Sequence, residues 1–197
     1  LGALREASDR HRAAVSRSLK DGVLTASASL LDALAKSRAL QERDRALEQA
    51  LTIVYRLLFL LFAEARGLAP LWHPVYRESY SVAALRDSAE KSESSAGLWD
   101  ALQATSHMAH AGCQAGTLRV TAFNGRLFAP ARTPLAERRD LDDEAARRAV
   151  LALSTRPATD GTGRERIAYR DLGVEQLGDD VVVRVGVNTG QGLVSVV

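Results

Sequence analysis

The sequence holds 197 residues, with 26 Lys and Arg against 24 Asp and Glu, for a net charge of +2. With 46% hydrophobic residues and a mean hydropathy of -0.11, the composition is that of a globular chain and excludes wholesale disorder. The single cysteine, Cys113, excludes an intrachain disulfide framework and predicts a cytoplasmic location. Near-balanced charge gives no whole-chain footprint for nucleic acid, despite a pI near 8.9.

Leu1 is not an initiator residue, which predicts a fragment. No basic, apolar and small-residue order marks a secretory signal near the start. From Ala3 to Gly67 the good helix formers Ala, Leu, Arg and Glu predominate, with Gly22 as the one interruption, so two or three helices are expected. Within the Asp44 to Arg66 segment, Leu47, Leu51, Val54, Leu58, Leu61, Phe62 and Ala65 recur every three or four residues and draw one apolar stripe. Ile53, Leu57, Phe59 and Leu60 widen it, predicting a helix covered on most sides at the centre of the core. The run Leu57 to Ala63 is far shorter than the roughly 20 apolar residues of a membrane span, so no membrane partner is expected. Gly67 supplies a left-handed stop, and Pro70 and Pro74 keep the helix from resuming.

Residues 70–80 read as an aromatic connection, Ser81 as the cap of a short helix through Arg86, and 88–97 as a polar loop. A helix over 98–111 ends at Gly112. A strand is expected over 117–121, followed by a turn at Asn124 and Gly125, both tolerant of positive φ. Asp140 reads as the N-cap of a helix to Leu153, with Asp142, Asp143 and Glu144 opposing its dipole. Residues 157–165 read as a loop, and 167–178 as a helix-like element with Asp171 as a cap. Residues 181–197 then hold eight valines, as many as the preceding 180 residues together. That break points either to an edge strand pair or, the reading preferred here, to sequence from a shifted frame. No repeat of 20 to 50 residues is visible.

Chemistry-bearing residues are sparse. His107, His110 and Cys113, spaced by three, superficially match soft metal ligands, but structural zinc takes four and Gly112 stops the helix before Cys113; a half-exposed helix side with a buried thiol is the preferred reading. Asp140, Asp142, Asp143 and Glu144 suit either a divalent cation or, preferably, the first turn of a helix. No Glu-x-Lys or Asp-x-Lys pair of a metal-dependent nuclease occurs, the nearest being Glu64-x-Arg66. Gly161 and Gly163 form a plain loop, and Gly186, Gly190 and Gly192 have no helix after them to face a phosphate. No serine sits in a glycine-flanked elbow. Arg138, Arg139, Arg147 and Arg148, with Arg126 and Arg132, would contact phosphates if they shared a face, but acids interleave from Glu137 to Glu144, so a solvated mixed-charge surface is the preferred reading.

Three blocks carry a resemblance: Tyr55 to Leu68 (YRLLFLLFAEARGL), Phe123 to Phe128 (FNGRLF) and Ile167 to Gly178 (IAYRDLGVEQLG). In this order they resemble the helical region that precedes the catalytic domain in adenine-specific DNA methyltransferases of the Type IIG restriction-modification kind, including relatives in phage defence. Tyr76 to Leu85 and Leu98 to Leu102 also look like that region, so roughly 44–178 is covered. The resemblance implies a parent enzyme that transfers a methyl group from S-adenosylmethionine to the N6 of a flipped adenine in DNA. It also implies two partners, DNA and a methyltransferase domain outside this chain. The family's Asn/Asp-Pro-Pro-Tyr/Phe motif has no match, since Pro-Pro never occurs. No catalytic, cofactor-binding or metal-binding residue is therefore carried over.

The expected fold is mainly α, a helical bundle-like module with a small β-hairpin or strand region near 117–128. Residues 1–178 form the helical region and 179–197 an aberrant or truncated tail. The alternative function is a non-enzymatic helical module that contacts DNA or another protein.

Overall fold

A computed structural model describes residues 2–36, 40–91, 96–138, 141–158 and 161–171, with side chains from residue 15 onward except at 40, 41 and 171. The helix formers of the first 65 residues make two long helices, α1 (Gly2–Ala35) and α2 (Leu40–Ala65). Gly22 does not interrupt α1 but lies inside it. Its missing side chain lets a later helix pass so close that a Cβ would overlap the Ala152 carbonyl oxygen. Of the predicted stripe, Leu51, Val54, Leu58 and Leu61 are buried and Leu47, Phe62 and Ala65 half-buried, while Ile53, Leu57 and Leu60 beside it are at most 3% exposed, so the helix is covered on most sides. By length and apolarity, Glu42–Ala65 is sufficient to cross a membrane (hydropathy 1.6). Here it is the core helix, packed against α1 and several later elements.

Gly67, at φ 67°, ends α2. The Leu68 amide donates back to the Ala63 carbonyl (2.8 Å) and the Gly67 amide to that of Glu64 (3.1 Å), which together satisfy the last carbonyls of the helix. The aromatic connection contains an unexpected short helix, α3 (Pro74–Ser79), started by its proline. Next comes α4 (Val82–Lys91), where Ser81 is the cap its sequence predicts, its Oγ accepting from the Ala84 amide at 3.1 Å. Helix α5 (Leu98–Ala111) ends at Gly112 (φ 75°), where a Cβ would stand 2.7 Å from the Val120 carbonyl oxygen.

The strand region is a hairpin of β1 (Cys113–Ala115) and β2 (Leu118–Val120), turned at Gly116. The expected turn at Asn124 and Gly125 is instead a helix start. Asn124 caps α6 (Gly125–Phe128) by accepting from the Leu127 amide at 3.3 Å, because an Asn side chain competes as well for a helix N-terminus as for a turn. A 3-10 turn (Pro130–Arg132) and α7 (Pro134–Glu137) lead to α8 (Asp143–Ser154). The N-cap of α8 is Asp142, not Asp140, with Oδ1 accepting from the Ala145 amide at 2.7 Å; Arg139 and Asp140 lie outside the described residues.

Part of the predicted 157–165 loop closes a second antiparallel hairpin, β3 (Thr155–Pro157) with β4 (Arg164–Arg166). Tyr169–Asp171 is a 3-10 turn. The remainder of the element expected over 167–178, and the valine-rich 179–197, lie outside the described residues.

Among the described residues the architecture is mainly helical, with two small antiparallel strand pairs. Helices α1, α2, α4 and α8 enclose the main core, into which Ile167 and Tyr169 also pack. A smaller cluster of Ala69, Tyr76, Met108, Leu118 and Val120 joins the α2–α3 connection to α5 and the first hairpin.

Candidate functional site

The C-terminal half of α2 holds two ionisable residues on its buried faces. Arg56 is 4% exposed, and its guanidinium donates to the Leu127 carbonyl (3.0 Å), the Ala129 carbonyl (2.8 Å) and the Thr133 hydroxyl (2.9 Å). One side chain thus fixes the whole path from α6 to α7. Burial lowers the Arg56 pKa to about 10, partly offset by Glu137. Its guanidinium carbon stands 5.8 Å from the centre of the Phe128 ring. Phe59, one residue-turn along the helix, stacks on Phe123 (6.1 Å, 12°) and meets Phe128 edge-on (5.7 Å, 71°).

Glu64 is the second buried group. Its carboxylate accepts from the first amides of α4, those of Val82 (2.8 Å) and Ala83 (3.3 Å), so α2 caps α4 from outside. Burial is the dominant influence and pushes Glu64 up to about 7, against the downward pull of those amides, Arg86 and Tyr76. The Tyr76 hydroxyl lies beside this carboxylate, in the dry interior, without a hydrogen bond of good geometry. Burial and Glu64 both raise its pKa. Arg86, also buried, is tied to Asp87 at 2.7 Å.

Two surface depressions open at the end of α2. One of about 580 Å³ is lined by Glu64, Ala65, Arg66, Gly67 and Arg170. The other, of about 340 Å³, runs between Gly67 to Trp72 on one side and Arg119 to Phe123 on the other. Gly67 belongs to both. Along this rim Trp72 is 70% and Leu68 69% exposed.

Among the described residues the other candidates are not assembled into a site. His107 Nε2 meets Glu137 Oε2 at 2.9 Å and His110 Nδ1 meets the Gly125 carbonyl at 2.8 Å, while Cys113 has left the helix for β1. Cys113 is half-buried, so the expected buried thiol is corrected. Among the described residues no three His, Cys, Asp or Glu side chains converge as metal ligands.

The acidic run disperses as well. Asp142 caps α8 and pairs with Lys36 (2.9 Å); this hydrogen bond and the Ala145 amide hold its pKa low. Asp143 reaches across to α5, accepting from the amides of Gly97 (2.8 Å) and Trp99 (2.7 Å). Glu144 pairs with Arg147 (2.8 Å) and Arg148 (3.5 Å). Arg126, Arg132 and Arg138 are exposed.

Arg56 and Glu64 were not singled out as site residues from the sequence. The available signal was a charge at each of two positions inside a helix otherwise apolar on most sides, where only a partnered charge is tolerated. Compared with known protein families, curated proteins and solved structures, the chain matches none.

Proposed function

We propose that this chain is the helical region preceding the methyltransferase domain of an adenine-specific DNA methyltransferase, from a restriction-modification or phage-defence system. One observation carries the reading: the first two blocks of the resemblance and the described start of the third, 167–171, meet around α2. Arg56 and Phe59 of the first grip Phe123, Leu127 and Phe128 of the second, and Arg170 of the third lines a depression with Glu64 to Gly67. Tyr169, in the same block, is buried in the core and donates to the Leu153 carbonyl at 2.6 Å. Segments separated by up to a hundred residues thus form one packed unit, as short signatures of a shared scaffold should.

On this reading the methyl-transfer chemistry belongs to a domain outside the chain. Among the described residues both sheets are two-stranded antiparallel hairpins, and no strand passes through a glycine turn into a long helix. They do not fit S-adenosylmethionine in the way the resemblance implies. The role proposed for this region is to support that domain and present DNA to it, in the cytoplasm.

The test is to sequence the encoding locus several hundred codons past Val197 in all three frames. The extended protein is then assayed for transfer of labelled methyl groups from S-adenosylmethionine to adenine in DNA. An Asn-Pro-Pro-Tyr-like motif and N6-methyladenine are the expected results. A clean stop with no such motif refutes the reading and favours a stand-alone binding module.

A further inference from the structure

The hairpin of β1 and β2 has one edge that its own pairing leaves open. Its register sets Ala115 opposite Leu118 across a two-residue turn, and Cys113 opposite Val120. Residues that flank such a turn exchange both of their hydrogen bonds, and bonded pairs then alternate with unbonded ones along the ladder. Ala115 with Leu118 and Cys113 with Val120 are therefore the bonded pairs, and the N–H and C=O of Arg119 point away from β1. Thr121, two residues on, has the same parity. Both residues are exposed, and among the described residues neither backbone has a hydrogen-bond partner.

The depression of about 340 Å³ lies beside this edge, with Leu68 to Trp72 in its opposite wall. That wall is fixed to the hairpin. Ala69 packs with Leu118 and Val120, and His73 Nε2 meets the Thr117 hydroxyl at 3.1 Å. On it Leu68 stays 69% and Trp72 70% exposed. The groove thus offers unpaired backbone on one side and uncovered apolar surface on the other, the two features that an added β-strand uses. Among its described lining residues only Arg119 is charged. The Arg119 guanidinium reaches Gln114 Oε1 at 3.5 Å and no carboxylate among the described residues.

Strand geometry then specifies the occupant. A residue set opposite Arg119 projects its side chain on the same solvent-facing side, where a carboxylate completes a cross-strand ion pair. Its two neighbours project on the other side, that of buried Leu118 and Val120, and meet the apolar wall. A second copy of the chain fits less well, because pairing centred on β2 sets two Arg119 side chains directly opposite each other. We infer that this groove docks an extended segment of a partner protein, added as a strand to the free edge of β2, with an acidic residue opposite Arg119 between two apolar ones. Neither the edge nor its charge depends on the methyltransferase reading, so this surface stands whether or not a methyltransferase domain follows.

The probe is a capped peptide, Ser-Thr-Val-Thr-Val-Glu-Val-Thr-Ser, labelled with fluorescein for anisotropy and unlabelled for tryptophan emission. The protein carries two tryptophans, and Trp99 is 6% exposed, so a blue shift on binding reports Trp72. Saturable binding with that shift is the expected result. Replacing the glutamate by lysine should weaken binding roughly tenfold, and Arg119→Glu should restore the lysine peptide while weakening the original by a similar factor. N-methylation of the glutamate and both flanking valines removes the N–H groups that the edge would receive and should abolish binding. Trp72→Ala should cost roughly tenfold through lost apolar contact. Arg148→Glu, exposed and outside the groove, should change nothing. Because Trp72 and Arg119 are exposed, unchanged melting curves verify that each variant is folded; the peptide substitutions, made against the native protein, decide the matter without them.

No binding by the folded native protein would overturn the inference, as would equal affinity for the original, lysine and N-methylated peptides. Self-association that Trp72→Ala abolishes, in protein that binds no peptide, would overturn it by assigning the groove to a second copy of the chain.

Discussion

Glu64 sets two opposing effects against each other, and the pH dependence of stability decides between them. Two amides of α4, nearby Arg86 and Tyr76 favour the carboxylate; withdrawal from water favours the acid and outweighs them, raising the pKa from 4.5 to about 7. The sign follows from linkage. Below pH 4.5 the group is protonated in folded and unfolded chains alike and contributes nothing. Between 4.5 and 7 the unfolded chain releases the proton that the folded chain retains, so stability falls as pH rises. Above 7 the full difference, roughly 3 kcal/mol, persists as a cost. Glu64→Gln removes the titration and keeps one acceptor for the Val82 amide. Its neutral NH2 forfeits the longer bond to Ala83, a constant offset of about 1 kcal/mol. Urea unfolding followed by circular dichroism, from pH 4 to 8.5, should show the variant gaining on the native protein by roughly 3 kcal/mol, with most of the gain between 4.5 and 7. Differencing the two proteins cancels every other titrating group. A gap independent of pH, or one that closes as pH rises, would show that the α4 amides outweigh burial and that the carboxylate is ionised well below neutrality.

Gly22→Ala should destabilise by about 1–3 kcal/mol in urea melts, since a methyl there overlaps the Ala152 carbonyl oxygen; stabilisation, the usual result of Gly→Ala in a helix, would show that the two helices separate easily. Arg56→Met should cost about 3 kcal/mol by stranding the Leu127 and Ala129 carbonyls, and amide exchange over 124–133 should accelerate more than that over α1. Arg56→Lys should recover little of this, because one ammonium cannot span three acceptors in a plane. Asp143→Ala should cost about 1–2 kcal/mol through loss of the α5 cap, measured by thermal melting, whereas Asp142→Ala should loosen α8 instead, visible as faster amide exchange at Ala145.

The helices were legible where one face repeats over many residues. The stripe of α2, the Gly67 stop, the Ser81 cap and the span of α5 all follow from local sequence, because each is decided within one or two turns. The errors share a cause of the opposite kind. Gly22 reads as a break until α8 is placed against it, and then the same missing Cβ is what a close helix crossing requires. Asn124 signals turns and caps equally, and the difference lies in Arg56 holding the carbonyls just beyond it, seventy residues away in sequence. The second hairpin has strands of three residues, too short for alternation to register.

The acidic run at 142–144 shows why the site itself was less legible than the fold. As a string of carboxylates it suits one cation or one helix dipole, and charge density alone cannot distinguish them. In three dimensions adjacent residues on a helix's first turn point in different directions. Asp142 therefore serves its own helix and Lys36, Asp143 serves α5, and Glu144 serves two arginines. Such a division leaves none of the three available to hold an ion. The converse holds at the end of α2, where Arg66, Trp72, Arg119 and Arg170 are scattered over a hundred residues and form no motif. Only folding brings Arg66 to Arg170 in one depression and, through the α2–α3 connection packed against the first hairpin, Trp72 to Arg119 in the other. A constellation of that kind has no spacing to recognise, so the fold has to be known before the surface can be read.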